Sequence, residues 1–219
     1  MMPAHLEIIH LKGVDARYDP APWPFAEERK AEIDAIWAKA SAGKPQLFNG
    51  TVPLSNASFI AWPQLGKPGP ERRNGFAMAA LRSADGAFIL GVMGPQTYNA
   101  GKIYFAGGTP DMEDVTEDGR VDLATSMVRE LKEETGLRDE EFAIDANWTL
   151  VADGHRAAFL KPARLVYTAD EARRVIRSRL AATDQELADV AVVRRPQDID
   201  EAMMPDFAKA YMRAVFAAA

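Results

Sequence analysis

Nine consecutive residues, Arg129-Glu130-Leu131-Lys132-Glu133-Glu134-Thr135-Gly136-Leu137, hold the most concentrated chemistry in the chain. At 100° per residue on a helix, Glu130 and Glu134 lie about 40° apart and Glu130 and Glu133 about 60° apart. Three carboxylates therefore share one face within a turn. Like charges at these spacings destabilise an isolated helix, and divalent cations would reverse the repulsion. A solvated acidic face is the plainer reading. Composition disfavours it, because this pattern of charges and glycine arises by chance on the order of once per 10⁵ such chains.

The rest of the composition leaves few other routes to chemistry. The chain has no cysteine and three histidines, His5, His10 and His155. Disulfides, thiolate zinc sites and cysteine nucleophiles are excluded, and histidine-rich metal sites are disfavoured. A bound metal is then expected to be a hard cation on carboxylates: magnesium, manganese or calcium. With 26 basic and 32 acidic residues the net charge is −6, which argues against nucleic acid as a partner. No apolar run reaches the length of a membrane span, and the start, MMPAHLEIIH, lacks the features of a signal peptide. A cytoplasmic protein is the expectation.

The glutamates need a rigid helix. Ala124, Met127, Val128 and Leu131 form its core-facing stripe, Asp122 suits the N-cap, and Gly136 suits a left-handed C-terminal stop. The spacing predicts this helix over about 123–135. Before it, strands at 76–81 and 87–92 flank a hairpin turn at 82–86. A strand at 102–106 runs into Gly107-Gly108, and a polar loop with Asp111, Glu113, Asp114, Glu117 and Asp118 follows. After the helix, strands are expected at 148–152, 157–160, 163–167 and 186–193. Helices are expected at 169–181, opened by a Thr168/Glu171 capping box, and at 204–218. The N-terminal part predicts a strand at 6–11, a helix over 25–41 and a strand pair within 46–54. The proline- and glycine-rich stretch 63–70 marks the boundary between a 1–65 extension and a 66–219 domain.

The nine residues resemble the signature of the Nudix hydrolases, Arg-Glu-apolar-x-Glu-Glu-x-Gly-apolar, at all seven specified positions. Gly107-Gly108 resembles the glycine turn that opens the same motif. The resemblance implies an α/β (α+β) Nudix fold, a mixed sheet sandwiched between helices, here with a small N-terminal α+β extension. It implies Mg2+ or Mn2+ bound by Glu130, Glu133 and Glu134, with Arg129 orienting those carboxylates. It further implies hydrolysis of a diphosphate linked to a nucleoside. Two features depart from the pattern. The second glycine to the arginine usually spans 14 positions, whereas Gly108 to Arg129 spans 21, so about seven residues are inserted, expected within 109–120. The family's additional glutamate, eight positions before the arginine, falls on Val121, with Asp122 as an off-register substitute.

Beyond the signature, the layout is similar to the UDP-glucose and UDP-galactose diphosphatase branch: a helix ending before PQLFNG (45–50), a lengthened loop, a helix near 169–181 and DQELADVAVV (184–193). ADP-ribose, a dinucleotide and a coenzyme A derivative are the competing substrates. A Nudix-fold binding or regulatory module without turnover is the competing class. Gly107, Gly108 and Tyr104 are candidate substrate contacts. Tyr98, Tyr104 and Phe105 flank the glycine turn and could stack on a base or serve as core and rim aromatics. Glu186, at the start of the last strand, is a candidate general base. The basic segment 161–180, with Lys161, Arg164, Arg173, Arg174, Arg177 and Arg179, could attract phosphate or form a solvated face. His155, in the turn-like 153–155, is expected to face solvent. Residues 1–65 could cover the site, extend the sheet or form an interface, and the resemblance makes a homodimer one option.

Overall fold

The computed structural model describes residues 6–21, 23–42, 64–66, 73–153, 156–183 and 186–218. The expected strand pair at 46–54, most of the 63–70 boundary and the turn carrying His155 lie outside these residues. Among them, nine strands form one mixed sheet: β1 (Leu6–Leu11), β2 (Asn74–Arg82), β3 (Phe88–Met93), β4 (Ile103–Tyr104), β5 (Gly107–Gly108), β6 (Phe142–Ile144), β7 (Trp148–Asp153), β8 (Arg156–Leu165) and β9 (Leu187–Val193). The main order is β1-β7-β8-β2-β3-β4, with β5 on β2, β6 on β8 and β9 on β3. The β2/β8 pair is parallel, from Asn74↔Arg156 to Arg82↔Arg164, and the other pairs are antiparallel.

β2 shows why the sheet has helices on both faces. Its Phe76–Leu81 run is buried throughout, as expected of a strand covered on two sides. Ala77, Ala79 and Leu81 face one apolar layer, completed by helices α3 (Leu123–Thr135) and α4 (Ala169–Arg179). Phe76, Met78 and Ala80 face the other, completed by helix α5 (Asp206–Ala217) through Phe207, Ala208, Tyr211 and Met212. The expected mixed sheet between helices is therefore what the chain forms. No helix among the described residues is long and apolar enough to cross a membrane.

Three differences from the expected elements have local origins. The helix at 25–41 divides into α1 (Pro24–Glu28) and α2 (Lys30–Ser41), because Arg29 leaves helical geometry at φ −110°, ψ 20°. Of the strand expected at 102–106 only β4 forms, and the two glycines expected to follow it form β5, which pairs with β2 whereas β4 pairs with β3. Between them Phe105 is drawn fully into the α5-side core, against Phe88 and Tyr211. The strands at 157–160 and 163–167 are one strand, β8, running through Pro162. Pro162 is tolerated because β7 pairing ends at Leu160 and β6 pairing begins at Ala163, leaving no ladder donor needed on that side. Its carbonyl accepts from Asp145 N–H at 2.9 Å, and β6 itself carries too short a pattern to be read from sequence.

Candidate active site

Helix α3 begins and ends where its sequence requires. The Asp122 carboxylate accepts from the N–H groups of Ala124 and Thr125 at 3.2 and 3.0 Å. Gly136 takes the left-handed conformation, φ +68°, and its N–H returns to the Lys132 carbonyl at 2.8 Å. Burial of Leu123, Met127 and Leu131, worth about 1.5–3 kcal/mol each, fixes the helix's rotation against the sheet. That rotation decides the fate of each glutamate.

Glu134 is turned inward and is 2% exposed. Its Oε1 accepts from the Gly107 N–H at 3.0 Å. Glu130, one turn earlier, lies on the same stripe, and its side chain is 22% exposed. It packs so closely on Gly108 that a Cβ there would stand 2.9 Å from its Cδ. Gly107 has φ +148°, and a Cβ would stand 2.2 Å from the Ala77 carbonyl oxygen. Two glycines thus let the β5 backbone lie between β2 and two carboxylates. Glu133 stands apart at the rim, with a side chain 51% exposed. Among the described residues no three His, Asp or Glu side chains are gathered closely enough to hold a metal ion as they stand.

Arg129 reaches the helix carboxylates, with Nη1 3.3 Å from Glu130 and 3.9 Å from Glu133. Its hydrogen bonds, however, go to Asp114, where Nη2 donates to both carboxylate oxygens at 3.0 and 3.2 Å. Asp114 is a candidate site residue that spacing alone missed. Its side chain is 5% exposed, and it also accepts from the Asp111 N–H at 2.9 Å. The loop after it forms a small hairpin, with Val115 bridged to Val121, and the Asp122 N–H closes the base on the Asp114 carbonyl at 2.8 Å. With the seven hairpin residues 115–121 set aside, Arg129 follows Gly108 by 14 positions and Asp114 by eight. The inserted residues therefore lie after the acidic position, not before it. Val121 is apolar because it packs against the core with Ala16 and Ala124, and Asp122 is committed to capping.

The electrostatics of the cluster follow from its crowding. The Glu130 carboxyl is pushed up to about 7, chiefly by burial; Arg129 opposes the rise, while Glu133, Glu186 and Asp114 add to it. The Tyr104 phenol is also raised, mainly by burial and further by Glu134 and Glu186, against the lowering effect of Asn99, whose amide donates to the phenol oxygen at 3.2 Å. Glu186 therefore belongs to the same electrostatic neighbourhood as Glu130, Glu134 and Tyr104. These oxygen-only donors fit a hard divalent cation, which would offset the charge that raises Glu130.

Other candidates are drawn into structural work. Phe105 is core, while Tyr98 is 45% exposed. Within the basic segment, Lys161 is buried, donates to the Ala146 carbonyl at 2.8 Å and lies over the Trp148 ring. Arg177 pairs with Asp189, and Arg179 with Glu141. A cleft of about 280 Å3 lined by Ile8, His10, Arg82, Thr149 and Tyr211 lies on the α5 face, across the sheet from the glutamates.

No protein-family model matches the chain, and no curated protein matches it in sequence. Among solved structures it is similar to a Nudix hydrolase from M. Smegmatis, with 16% identity and a TM-score of 0.41 over 67% of this chain and 86% of that one. It is also similar to a NUDIX-family hydrolase from Clostridium perfringens, at 12% identity and a TM-score of 0.42 over 67% and 98% of the two chains. A MutT protein from Methanosarcina mazei matches at 18% identity and a TM-score of 0.38 over 67% and 99%.

Proposed function

We propose that this chain is a metal-dependent Nudix hydrolase that splits a nucleoside diphosphate linked to another moiety, with a UDP-sugar as the leading substrate. The observation that carries the reading is the seating of Glu130 and Glu134 against the Gly107-Gly108 turn, with Glu134 bonded to the Gly107 N–H. Glu130, Glu133 and Glu134 would hold Mg2+ or Mn2+, which when bound neutralises diphosphate charge and lowers the pKa of water. Arg129 sets the directions of Glu130 and Glu133, and Asp114 anchors Arg129. Glu186, whose charge acts on Glu130 and Tyr104, would take a proton from the attacking water. Tyr104, whose phenol accepts from Asn99, is the candidate aromatic to stack on the substrate's base. The two glycines leave the turn free of side chains, so a diphosphate can approach its backbone.

Incubation with Mg2+ and a panel of UDP-sugars, ADP-ribose, dinucleotides and coenzyme A derivatives tests the proposal. Release of a nucleoside monophosphate, or of the corresponding phosphate product from coenzyme A, is expected from at least one. Glu134→Gln is expected to abolish turnover while leaving the fold intact. A fully active Glu134→Gln protein would sink the ligand assignment, and tight binding across the panel without turnover would favour a binding module.

A further inference from the structure

The N-terminal segment and the inserted hairpin are joined by backbone bonds that neither requires for its own closure. The hairpin is already closed by the Val115/Val121 bridge and by Thr116 N–H donating to the Arg120 carbonyl at 2.8 Å. Yet its outer strand also pairs with residues 16–18. Val121 N–H donates to the Ala16 carbonyl at 2.9 Å, Tyr18 N–H donates to the Gly119 carbonyl at 3.0 Å, and Arg17 stands opposite Arg120 in an antiparallel bridge. Val14, Ala16 and Val121 pack on the same core layer as Ala124 and Val128 of α3. One continuous path thus runs from residues 14–18 through the hairpin to Asp114, and from Asp114 to Arg129 and the helix glutamates.

We propose that residues 14–18 are a positioning strap: by pairing with the hairpin they fix Asp114, and through Asp114 the direction in which Arg129 holds Glu130 and Glu133. The need is geometric. An aspartate has one methylene fewer than a glutamate, so its reach to Arg129 depends on where the backbone places it. The backbone at Asp114 is set by the hairpin base, and the hairpin is held from outside by the strap. The inference rests on reading Glu130, Glu133 and Glu134 as metal ligands.

Mn2+ titration followed by water-proton relaxation tests it without a substrate. Tyr18→Pro removes the N–H that donates to Gly119. It is expected to weaken Mn2+ binding roughly tenfold, the lower end of what loss of an outer-shell partner does, while far-UV circular dichroism stays unchanged. Asp114→Asn is expected to weaken binding at least as much. The double variant should be no weaker than Asp114→Asn alone, because both act through one contact. The absence of cysteine permits a clean rescue. Arg17 and Arg120 are directly opposed, within disulfide range, so oxidation of R17C/R120C in the Tyr18→Pro background should restore affinity and reduction should remove it. Where Tyr18→Pro fails to fold, Ala16→Glu, which sets a charge into the apolar layer that Val14, Ala16 and Val121 pack on, serves the same comparison. No Mn2+ binding by the unsubstituted protein overturns the ligand reading and the strap with it. Unchanged affinity in the strap variants, additivity with Asp114→Asn, or a loss that oxidation does not restore overturns the strap alone.

Discussion

Adding a single methyl to each of the two adjacent glycines should produce opposite kinds of damage. At Gly107 an alanine must adopt φ +148°, and its Cβ would meet the Ala77 carbonyl oxygen at 2.2 Å and the Met78 Cα at 2.6 Å. Both atoms belong to the central strand and cannot move aside. Strained backbone of this kind costs about 1–3 kcal/mol, and overpacking against a fixed wall costs a similar amount. Together they place Gly107→Ala about 2–6 kcal/mol below the parent, or roughly 10 °C in Tm for a chain of this size. At Gly108 the Cβ would meet the Glu130 Cδ at 2.9 Å, a side chain that can rotate away. The fold should lose at most about 1 kcal/mol. The carboxylate, however, is displaced by a few tenths of an ångström to about 1 Å, and displacements of that order cost up to about 100-fold in a positioned site. Urea unfolding by circular dichroism, paired with Mn2+ titration, separates the two effects. Gly107→Ala should lose stability; Gly108→Ala should keep stability and lose metal affinity tenfold or more. A Gly107→Ala protein melting within about 2 °C of the parent, or a Gly108→Ala protein with parental Mn2+ affinity, refutes this account of the turn.

Three further outcomes follow from side chains around the helix. Because the Glu130 carboxyl sits at about 7, Mn2+ affinity should fall as pH drops below about 7, and binding near pH 6 should release close to one proton. Calorimetry in buffers of different ionisation heat measures that proton, and a pH-independent affinity between 6 and 8 contradicts it. Glu141 is held down at about 2, chiefly by Arg179 and further by Tyr167 and the Arg138 N–H. A carboxyl lowered on folding contributes stability above its unfolded value of about 4.5, lost as pH falls toward 2; screening included, this amounts to about 2 kcal/mol. Glu141→Gln should therefore be destabilised at pH 7 and match the parent near pH 2, and an equal deficit at both pH values contradicts the linkage. Arg129→Lys, which keeps the charge but has a single nitrogen where Arg129 turns Nη2 to Asp114 and Nη1 to Glu130 and Glu133, should bind Mn2+ at least tenfold more weakly, as titration of both proteins would show.

The elements around the candidate site were legible to different depths. Helix α3 could be read to the residue, because a capping aspartate, an apolar stripe and a terminal glycine all agree at Asp122, Met127 and Gly136. The glycine pair was legible as a feature of the site, although the structure makes it a short strand, β5, rather than the end of one. What sequence could not reveal was which side of the acidic position received the inserted residues. Val121 stands at the counted position, and only the Val115/Val121 bridge reveals that Asp114 is the carboxylate that reaches Arg129. The split of Glu133 from Glu130 and Glu134 was also hidden. An angular wheel places all three on one face, but it does not say where the sheet's edge falls across that face. Phe105 and the basic segment were each open to a binding and a structural reading, and the structure decides for the second for a shared reason. Residue type advertises binding, whereas the core and carboxylates such as Glu141 and Asp189 supply the actual partners.

The hairpin closed at its base carries a broader consequence. The chain between the glycine turn and the arginine has a contour of 21 residues, but its ends are held as if it were 14. A loop pinched shut at its neck stores length without changing the chord it spans. Residues at the tip of the hairpin, before the stretch that pairs with residues 16–18, can thus lengthen, shorten or change while the end-to-end distance stays constant. Motifs defined by counting measure contour, whereas the chemistry depends on the chord.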